Sequence, residues 1–252
     1  MVKMRALVTG AAAGLARGIA TSLAQSGDFE RIVITYRTTS PEATLESIRA
    51  AGATASAHRI DFLDDEAAIG AGLARAVAQD GPFDVLVHGV GPMSIARFER
   101  ATMDDYREMF DGNVRSAVLA ARAVLPAMRE RGFGRLIFFG MNGSSVTRPA
   151  KGFALHLAAK SALVAFARTL AVEEGARGIT VNAIEPGDIR DKELTREQAR
   201  ARPAANPRGR PGSWEDVADA VRFLIDPRSD FITGSVLSVT GGLQGAAEPR
   251  ER

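Results

Sequence analysis

The sequence predicts an α/β protein in which helices cover both faces of a seven-stranded parallel sheet. The chain has 252 residues, 46% of them hydrophobic and 25% charged, which provides enough apolar material for one large core. Short β-branched runs alternate with longer stretches of helical period, and this alternation is typical of repeated βαβ units. Most of the short runs are continuously apolar, as expected for strands that are buried on both faces.

The elements follow one another without an internal repeat or a low-complexity linker, so we expect a single domain over residues 1–252. Strands are predicted at residues 5–9, 31–36, 53–60, 85–89, 135–139, 180–184 and 236–239. Helices are predicted at residues 15–26, 41–51, 65–79, 103–131, 154–174 and 214–224. This order is that of a doubly wound α/β domain.

Residues 188–212 break the alternation of strands and helices. They hold six arginines and three prolines and show no apolar periodicity beyond Leu194. A long segment without regular structure in a compact domain is usually a lid or a mobile loop. We therefore predict a substrate-loop or lid insertion here, and a solvated charged excursion is the alternative.

The composition argues against several classes of site. The chain has no cysteine, and its three histidines, His58, His88 and His156, are far apart, so no metal site is expected. The 32 basic and 30 acidic residues leave a net charge of +2, which gives no electrostatic basis for binding nucleic acid or a membrane surface. An apolar strand begins by Ala6, where a signal peptide would otherwise stand. No run of 18 apolar residues that could span a membrane occurs, so we predict a cytoplasmic protein.

A glycine-containing turn joins the first strand to the first helix, with the sequence Thr9-Gly10-Ala11-Ala12-Ala13-Gly14-Leu15-Ala16. Glycines let the backbone approach a pyrophosphate closely, while the free N–H groups and the positive end of the helix dipole face the anion. We therefore expect Gly10, Ala12, Gly14 and Leu15 to contact a dinucleotide. Plain packing of a strand-to-helix turn is the alternative explanation.

The end of the second strand indicates which dinucleotide is bound. Residues 31–40 contain no acidic side chain, and Arg37 is followed by Thr38 and Ser40. An NAD site favours a carboxylate here for the ribose 2′-hydroxyl, whereas the 2′-phosphate of NADP favours a fixed positive charge with hydroxyl donors. Arg37 therefore predicts NADP over NAD, unless it is an ordinary surface arginine.

Further motifs follow in order along the chain. They are Asp61-Phe62, Gly89 in the loop after the fourth strand, Asn113, Lys160, the segment 181–189 with Pro186, Gly187 and Ile189, and the pairs Thr233-Gly234 and Gly241-Gly242. Together with the turn from Thr9 to Ala16, they resemble the short-chain dehydrogenase/reductase family over nearly the whole chain.

The resemblance implies a Rossmann fold and an oxidoreductase that acts on a small-molecule substrate. It implies that Asp61 and Phe62 contact the adenine, that Gly89 shapes the cofactor pocket, that Lys160 binds the nicotinamide ribose, and that Asn113 belongs to the active site. It further implies that Pro186, Gly187 and Ile189 surround the nicotinamide, and that the protein forms homodimers or homotetramers.

The catalytic positions depart from the family pattern. His88-Gly89-Val90-Gly91 replaces the usual Asn-Asn-Ala-Gly, and Ala16 replaces the last glycine of the first turn. His156 occupies the place of the tyrosine in Y-x-x-x-K, and Met141 occupies the place of the serine. Ser144 or Ser145 is a candidate to replace that serine, although residues 143–145 can instead form an ordinary turn.

His156 and Lys160 are four residues apart on a predicted helix, so their side chains share one face. The lysine ammonium favours a neutral imidazole, which is a weak acid, so His156 is either a modest catalytic group or a tolerated rim histidine. The sequence therefore predicts an NADP-dependent oxidoreductase. The alternative is a non-catalytic NADP-binding sensor or oligomer partner with a degenerate active site.

Overall fold

The computed structural model describes residues 3–189 and 191–243, in which seven parallel strands form one sheet in the order β3-β2-β1-β4-β5-β6-β7. The strands are β1 Met4–Thr9, β2 Phe29–Tyr36, β3 Thr54–Arg59, β4 Val85–His88, β5 Gly134–Phe139, β6 Ile179–Pro186 and β7 Val236–Val239. The predicted doubly wound fold is confirmed. The chain reverses direction across the sheet between β1 and β4, which opens a crevice at the carboxyl ends of these two strands.

Helices cover both faces of the sheet and enclose two cores. They are α1 Gly14–Gln25, α2 Glu42–Ala50, α3 Glu66–Asp80, α4 Met103–Phe110, α5 Ser116–Arg131, α6 Ala154–Glu174, α7 Arg196–Arg200 and α8 Trp214–Ile225. Strand β1 shows how one strand serves both cores: Ala6 and Val8 face α1, α2 and α8, whereas Leu7 faces α3, α5 and α6.

The predicted single helix over residues 103–131 is interrupted by a turn of π-helix at Asp111–Arg115. The Asn113 amide donates to the backbone oxygen of Met109 at 2.9 Å, and the Ser116 hydroxyl donates to that of Gly112 at 2.7 Å. These side-chain bonds satisfy backbone oxygens where the regular helical pattern is broken. As a result, Asn113 lies buried at the crevice instead of on a regular helical face.

Within residues 188–212, of which residue 190 is outside the described part, the backbone is irregular apart from one short helix. The segment contains the short helix α7, which Thr195 caps by accepting a hydrogen bond from the Gln198 amide. Leu194 and Ala199 are fully buried. Arg210 bonds both carboxylate oxygens of Asp216 on α8, at 2.7 and 2.9 Å. Ionic contacts, which hydrophobic periodicity does not reveal, therefore anchor much of the segment.

One helical stretch, Ala154–Arg177, is long and apolar enough by composition to cross a membrane. It contains α6, which packs against β5 and β6 and buries Leu163, Ala167 and Leu170 in the core. Its apolar composition is therefore explained by packing inside the domain.

Candidate active site

A cavity of about 320 Å³ lies at the carboxyl ends of the central strands, where the strand order reverses. Six of the residues predicted to bind a dinucleotide line it, namely Gly10, Ala12, Arg37, Asp61, Phe62 and Gly89. Ligands of doubly wound sheets bind in this crevice. The structure thus brings together residues that are widely separated in the sequence.

The turn that begins this cavity is fixed to the second strand. Gly10 N–H donates to the Thr35 hydroxyl at 3.0 Å, and Ala11 N–H donates to the Thr35 backbone oxygen at 3.0 Å. Gly14, with φ of 61°, starts α1 in the left-handed region that favours glycine. The residue before it, Ala13, offers no side-chain cap, so the first N–H groups of the helix depend on partners from outside the helix.

Two departures from the family motifs are complementary in space. A Cβ built on Gly89 would lie 2.6 Å from the Cβ of Ala16, so the methyl of Ala16 fills the space that a larger residue at position 89 would need. Ala16 is therefore accommodated because Gly89 stands opposite, and the close packing of helix on strand is kept.

The predicted adenine end of the cavity carries positive charge and hydroxyl groups. Arg37, Thr38 and Thr39 line it, and the Arg59 guanidinium donates to the Arg37 backbone oxygen at 3.1 Å. On the opposite side, the Asp61 carboxylate accepts a hydrogen bond from Leu63 N–H at 3.0 Å, which fixes the loop after β3.

At the other end, Lys160 and Asn113 converge on Gly91. A Cβ on Gly91 would lie 2.9 Å from Lys160 Nζ and 3.0 Å from Asn113 Oδ1, so a larger residue here would have to displace these two groups. Lys160 Nζ donates to the Phe139 backbone oxygen at 2.8 Å. Asn113 Nδ2 donates to the Pro92 backbone oxygen, whereas Asn113 Oδ1 is buried without a hydrogen-bond partner in the part of the chain described. Burial, with the charge of Lys192 second, lowers the pKa of Lys160 to about 7.

His156 lies on the same face of α6 as Lys160 and is 4% exposed. Its Nδ1 is buried and has no hydrogen-bond partner among residues 3–189 and 191–243. Burial, and then the positive charge of Lys160, lowers the pKa of His156 to about 4. At neutral pH the ring is therefore uncharged.

Ser144, the candidate to replace the missing serine, is engaged elsewhere. Its hydroxyl donates to Glu185 Oε1 at 2.8 Å, and it is 2% exposed. The same carboxylate accepts hydrogen bonds from Ser145 N–H at 2.6 Å and Gly143 N–H at 3.3 Å. Glu185, on β6, thus anchors the loop that carries Met141, and the Ser144 hydroxyl would have to leave it to reach a substrate.

The segment predicted to surround the nicotinamide continues from β6. Gly187 N–H donates to the Val239 backbone oxygen at 2.9 Å, which pairs the segment with β7. Ile189 packs against Gly212, and Gly187 lines a second cavity of about 300 Å³ next to the loop 206–212. Pro186, Gly187 and Ile189 do not line the first cavity.

A chain of hydrogen bonds links the two central strands to the π turn. Gly89 N–H donates to the Thr9 hydroxyl at 3.1 Å, so the Thr9 proton is free to be donated to His88 Nδ1, 2.9 Å away. His88 Nε2–H then donates to the Ser116 hydroxyl at 3.0 Å, because that hydroxyl donates its own proton to Gly112. Burial, with Lys160 second, lowers the pKa of His88 to about 3, which keeps the ring neutral.

Sequence reasoning missed several of these positioning residues, namely Thr9, Thr35, Ser116 and Glu185. Each acts through a partner that is distant in the sequence. The one available indication was a polar residue inside an otherwise apolar strand or helix, which in a buried element needs a hydrogen-bond partner. No group of three or more histidine or carboxylate side chains that could hold a metal ion occurs in the described residues.

Comparison with known proteins agrees with this geometry. Residues 10–244 match the family model described as enoyl-(acyl carrier protein) reductase. The 3-oxoacyl-(acyl-carrier-protein) reductase FabG of Haemophilus influenzae is 33% identical over 241 residues, covering 94% of this chain and 97% of that protein.

Solved structures give the same result. A short-chain dehydrogenase/reductase from Serratia marcescens superposes with a TM-score of 0.84 at 29% identity, covering 97% of this chain and 99% of that one. A blue fluorescent protein from a metagenomic library, in complex with NADPH, superposes with a TM-score of 0.81 at 31% identity, covering 95% and 97%. The chain belongs to the short-chain dehydrogenase/reductase family, whose members are oxidoreductases that bind NAD(P).

Proposed function

We propose that this protein is an NADP-dependent oxidoreductase that transfers hydride between the nicotinamide and a small carbonyl, alcohol, C=C or C=N substrate. The observation that carries the preference for NADP is the position of Arg37 at the mouth of the cavity, with Thr38 and Thr39 beside it. A guanidinium with neighbouring hydroxyl groups fits a 2′-phosphate and offers nothing specific to a free 2′-hydroxyl.

The residues present fit such a dinucleotide. The amino end of α1, with Gly10, Ala12, Gly14 and Leu15, suits the pyrophosphate, and Arg37, Asp61 and Phe62 suit the adenosine 2′-phosphate end. Lys160 lies beside Gly91, which has no side chain to block it, and suits the nicotinamide ribose. Pro186, Gly187 and Ile189 are assigned to the nicotinamide by the family pattern.

A bound nicotinamide dinucleotide would supply the hydride. The chain's own residues must then orient the substrate and manage the proton. Lys160 is the group at the proposed nicotinamide end that is best suited to manage the proton, because its pKa of about 7 lets it carry or release one near neutral pH. Asn113 Oδ1 and His156 Nδ1 are two buried acceptors without partners in the described chain, and both suit a donor on a ligand or an ordered water.

A neutral His156 donates a proton weakly, and Met141 cannot donate one at all. Substrates that bring their own acidic proton, such as protonated imines, or that develop charge beside Lys160 are therefore favoured over simple ketones. Restoring a tyrosine with His156→Tyr should raise the turnover of simple ketones if the phenol alone is missing. Unchanged turnover would indicate that Met141 also blocks the site.

The cofactor preference is tested by measuring the dissociation constants of NADPH and NADH by cofactor fluorescence. We expect tighter binding of NADPH, and Arg37→Ala should weaken it by roughly ten- to a hundredfold, the usual value of a charge-assisted hydrogen bond. Arg49→Ala, which removes an exposed arginine from α2, is the control with the same change of net charge. Equal affinities of the unmutated protein for NADPH and NADH would refute the preference.

A second function, a non-catalytic NADP-binding sensor or oligomer partner, is favoured by His156 and Met141 at the catalytic positions. Turnover separates the two. A protein that binds NADPH but does not oxidise it in the presence of a broad panel of carbonyls, enones and imines would support the sensor. Oxidation of NADPH with any member of the panel would support the enzyme.

We further propose a homodimer or homotetramer that acts in the cytoplasm on a small molecule, without nucleic acid or a membrane. Family members are commonly oligomeric, and exposed apolar side chains such as Val172, 84% exposed, and Phe231, 99% exposed, are available for contacts between subunits. Light scattering during size-exclusion chromatography gives the mass, and a monomer at micromolar concentration would contradict the proposed assembly.

A further inference from the structure

The phosphate-binding turn is contacted by a carboxylate of the chain itself. Glu193, just before α7, accepts a hydrogen bond from Gly14 N–H through Oε1 at 2.6 Å. Its other oxygen, Oε2, lies 3.7 Å from Nη1 of Arg17, which is one turn further along α1. The two oxygens of one carboxylate thus face the amino end of the helix and the first cation on it.

Gly14 N–H and the Arg17 guanidinium are groups that also bind a phosphate. The amino end of α1 offers backbone N–H donors and the positive end of the helix dipole, and Ala13 provides no competing side-chain cap. A carboxylate is planar and a phosphate is tetrahedral, but both present anionic oxygens that accept hydrogen bonds from such donors. Glu193 therefore takes a place that suits the pyrophosphate of a dinucleotide.

The contact is made by an ordered piece of chain. Glu193 N–H donates to the Asp191 side chain at 3.1 Å, and Leu194 N–H donates to the Asp191 backbone oxygen at 3.2 Å. Leu194 is buried, and its backbone oxygen accepts from Trp214 N–H at 3.3 Å. The carboxylate is thus presented to the turn at a high effective concentration.

The backbone around Glu193 also covers the turn. Cβ and Cδ of Lys192 each lie 3.5 Å from the position of a Cβ on Gly14. Lys192 is close enough to add to the lowering of the pKa of both Lys160 and His156. Residues 192 and 193 therefore reach across the crevice from the helix end towards the proposed ribose site.

We propose that Glu193 is an internal competitor of the cofactor: its carboxylate occupies the phosphate position at Gly14 and Arg17, and a dinucleotide must displace it to bind. The inference rests on the proposed function. Binding of the cofactor then moves residues 191–195, so the occupancy of the cofactor site is coupled to the segment next to the substrate site. The apparent affinity is lowered by the fraction of molecules in which Glu193 is in place.

The test compares Glu193→Gln with the matched control Glu197→Gln, an exposed glutamate on α7 that changes the net charge equally. Binding of NADP⁺ is measured by calorimetry. Glu193→Gln should tighten it by about three- to fivefold, the usual effect of one charge at a helix end, and Glu197→Gln should leave it unchanged. Adenosine 2′-phosphate, which lacks the pyrophosphate, should bind equally to all three proteins.

Trp214, the one tryptophan of the chain, reports the movement. Its ring packs on α1 at Gly18, where a Cβ would lie 2.6 Å from the ring, and its backbone N–H donates to the Leu194 backbone oxygen. NADP⁺ should change the Trp214 emission of the unmutated protein, and Glu193→Gln without ligand should show part of that change.

The outcomes distinguish this inference from the proposed function. Equal NADP⁺ affinities for the unmutated protein and Glu193→Gln, or an equal gain with Glu197→Gln, would overturn the competition while leaving cofactor binding intact. Failure of both the unmutated protein and Glu193→Gln to bind NADP⁺ would overturn the proposed function, and the competition with it.

Discussion

A methyl group added at position 89 should disturb the contact between α1 and β4. In Gly89→Ala the new Cβ would lie 2.6 Å from the Cβ of Ala16 and 2.6 Å from the backbone oxygen of Thr9. Carbon atoms pack at about 3.5 to 4.0 Å, so roughly 1 Å of displacement between α1 and β4 is needed. We expect the free energy of unfolding to fall by about 1 to 3 kcal/mol, the usual cost of overpacking.

The companion change, Ala16→Gly, should cost about 1 kcal/mol by itself, because glycine is unfavourable inside a helix. In the double variant it removes one of the two close contacts of the new methyl, and the contact with Thr9 remains. The losses in free energy of unfolding of the two single variants should therefore add up to more than the loss of the double variant. We expect a difference of at least about 0.5 kcal/mol.

Urea unfolding of the four proteins, followed by circular dichroism, measures this coupling. Losses that add within experimental error would refute the idea that Ala16 and Gly89 replace each other's space. The same four proteins should bind NADP⁺ in the order of their stability, because the contact between Ala16 and Gly89 fixes the position of the turn at Gly10 and Gly14.

Three more outcomes are expected. Burial lowers the pKa of Lys160 from 10.5 to about 7, so between these values the unfolded chain binds a proton that the folded chain has lost. Relative to Lys160→Met, the free energy of unfolding should therefore rise with pH across this window, by up to about 1.4 kcal/mol per pH unit, and a pH-independent difference in urea titrations would contradict it. Glu185→Gln places an amide donor against the N–H groups of Gly143 and Ser145, so it should lower the free energy of unfolding by about 1 to 3 kcal/mol. A melting temperature equal to that of the unmutated protein would refute this role of Glu185. Hydrogen exchange across residues 188–212 should slow when NADP⁺ and substrate bind, and strong protection throughout the free protein would contradict a lid.

The fold was predictable because its main determinants are local in the sequence. Continuous apolar runs such as residues 85–87 mark strands that are buried on both faces, and helical periods between them leave a doubly wound sheet as the arrangement that buries both. The turn at Gly10 and Gly14 and the charge at Arg37 lie at strand ends. Parallel strands bring their carboxyl ends to one edge, so Gly10 and Arg37 both line the cavity there.

The catalytic end was not predictable, because distant partners decide it. The Ser144 hydroxyl donates to Glu185, 41 residues away, and no local pattern reveals this partner. The π turn depends on single side-chain hydrogen bonds from Asn113 and Ser116, although residues 103–131 have a continuous helical period. Residues 188–212 lack apolar periodicity because their anchors are largely ionic, above all the pair of Arg210 and Asp216.

The hydrogen bonds through His88 have a fixed direction, and this has a consequence for how the sequence can change. Thr9 must donate to Nδ1 and Ser116 must accept from Nε2, so the two hydroxyl groups suit one tautomer of one ring. A shorter side chain at position 88 would leave at least one of these buried groups without its partner. Positions 9, 88 and 116 should therefore evolve as a unit: among close relatives, a lineage that exchanges the histidine for asparagine should also carry a changed residue at position 116.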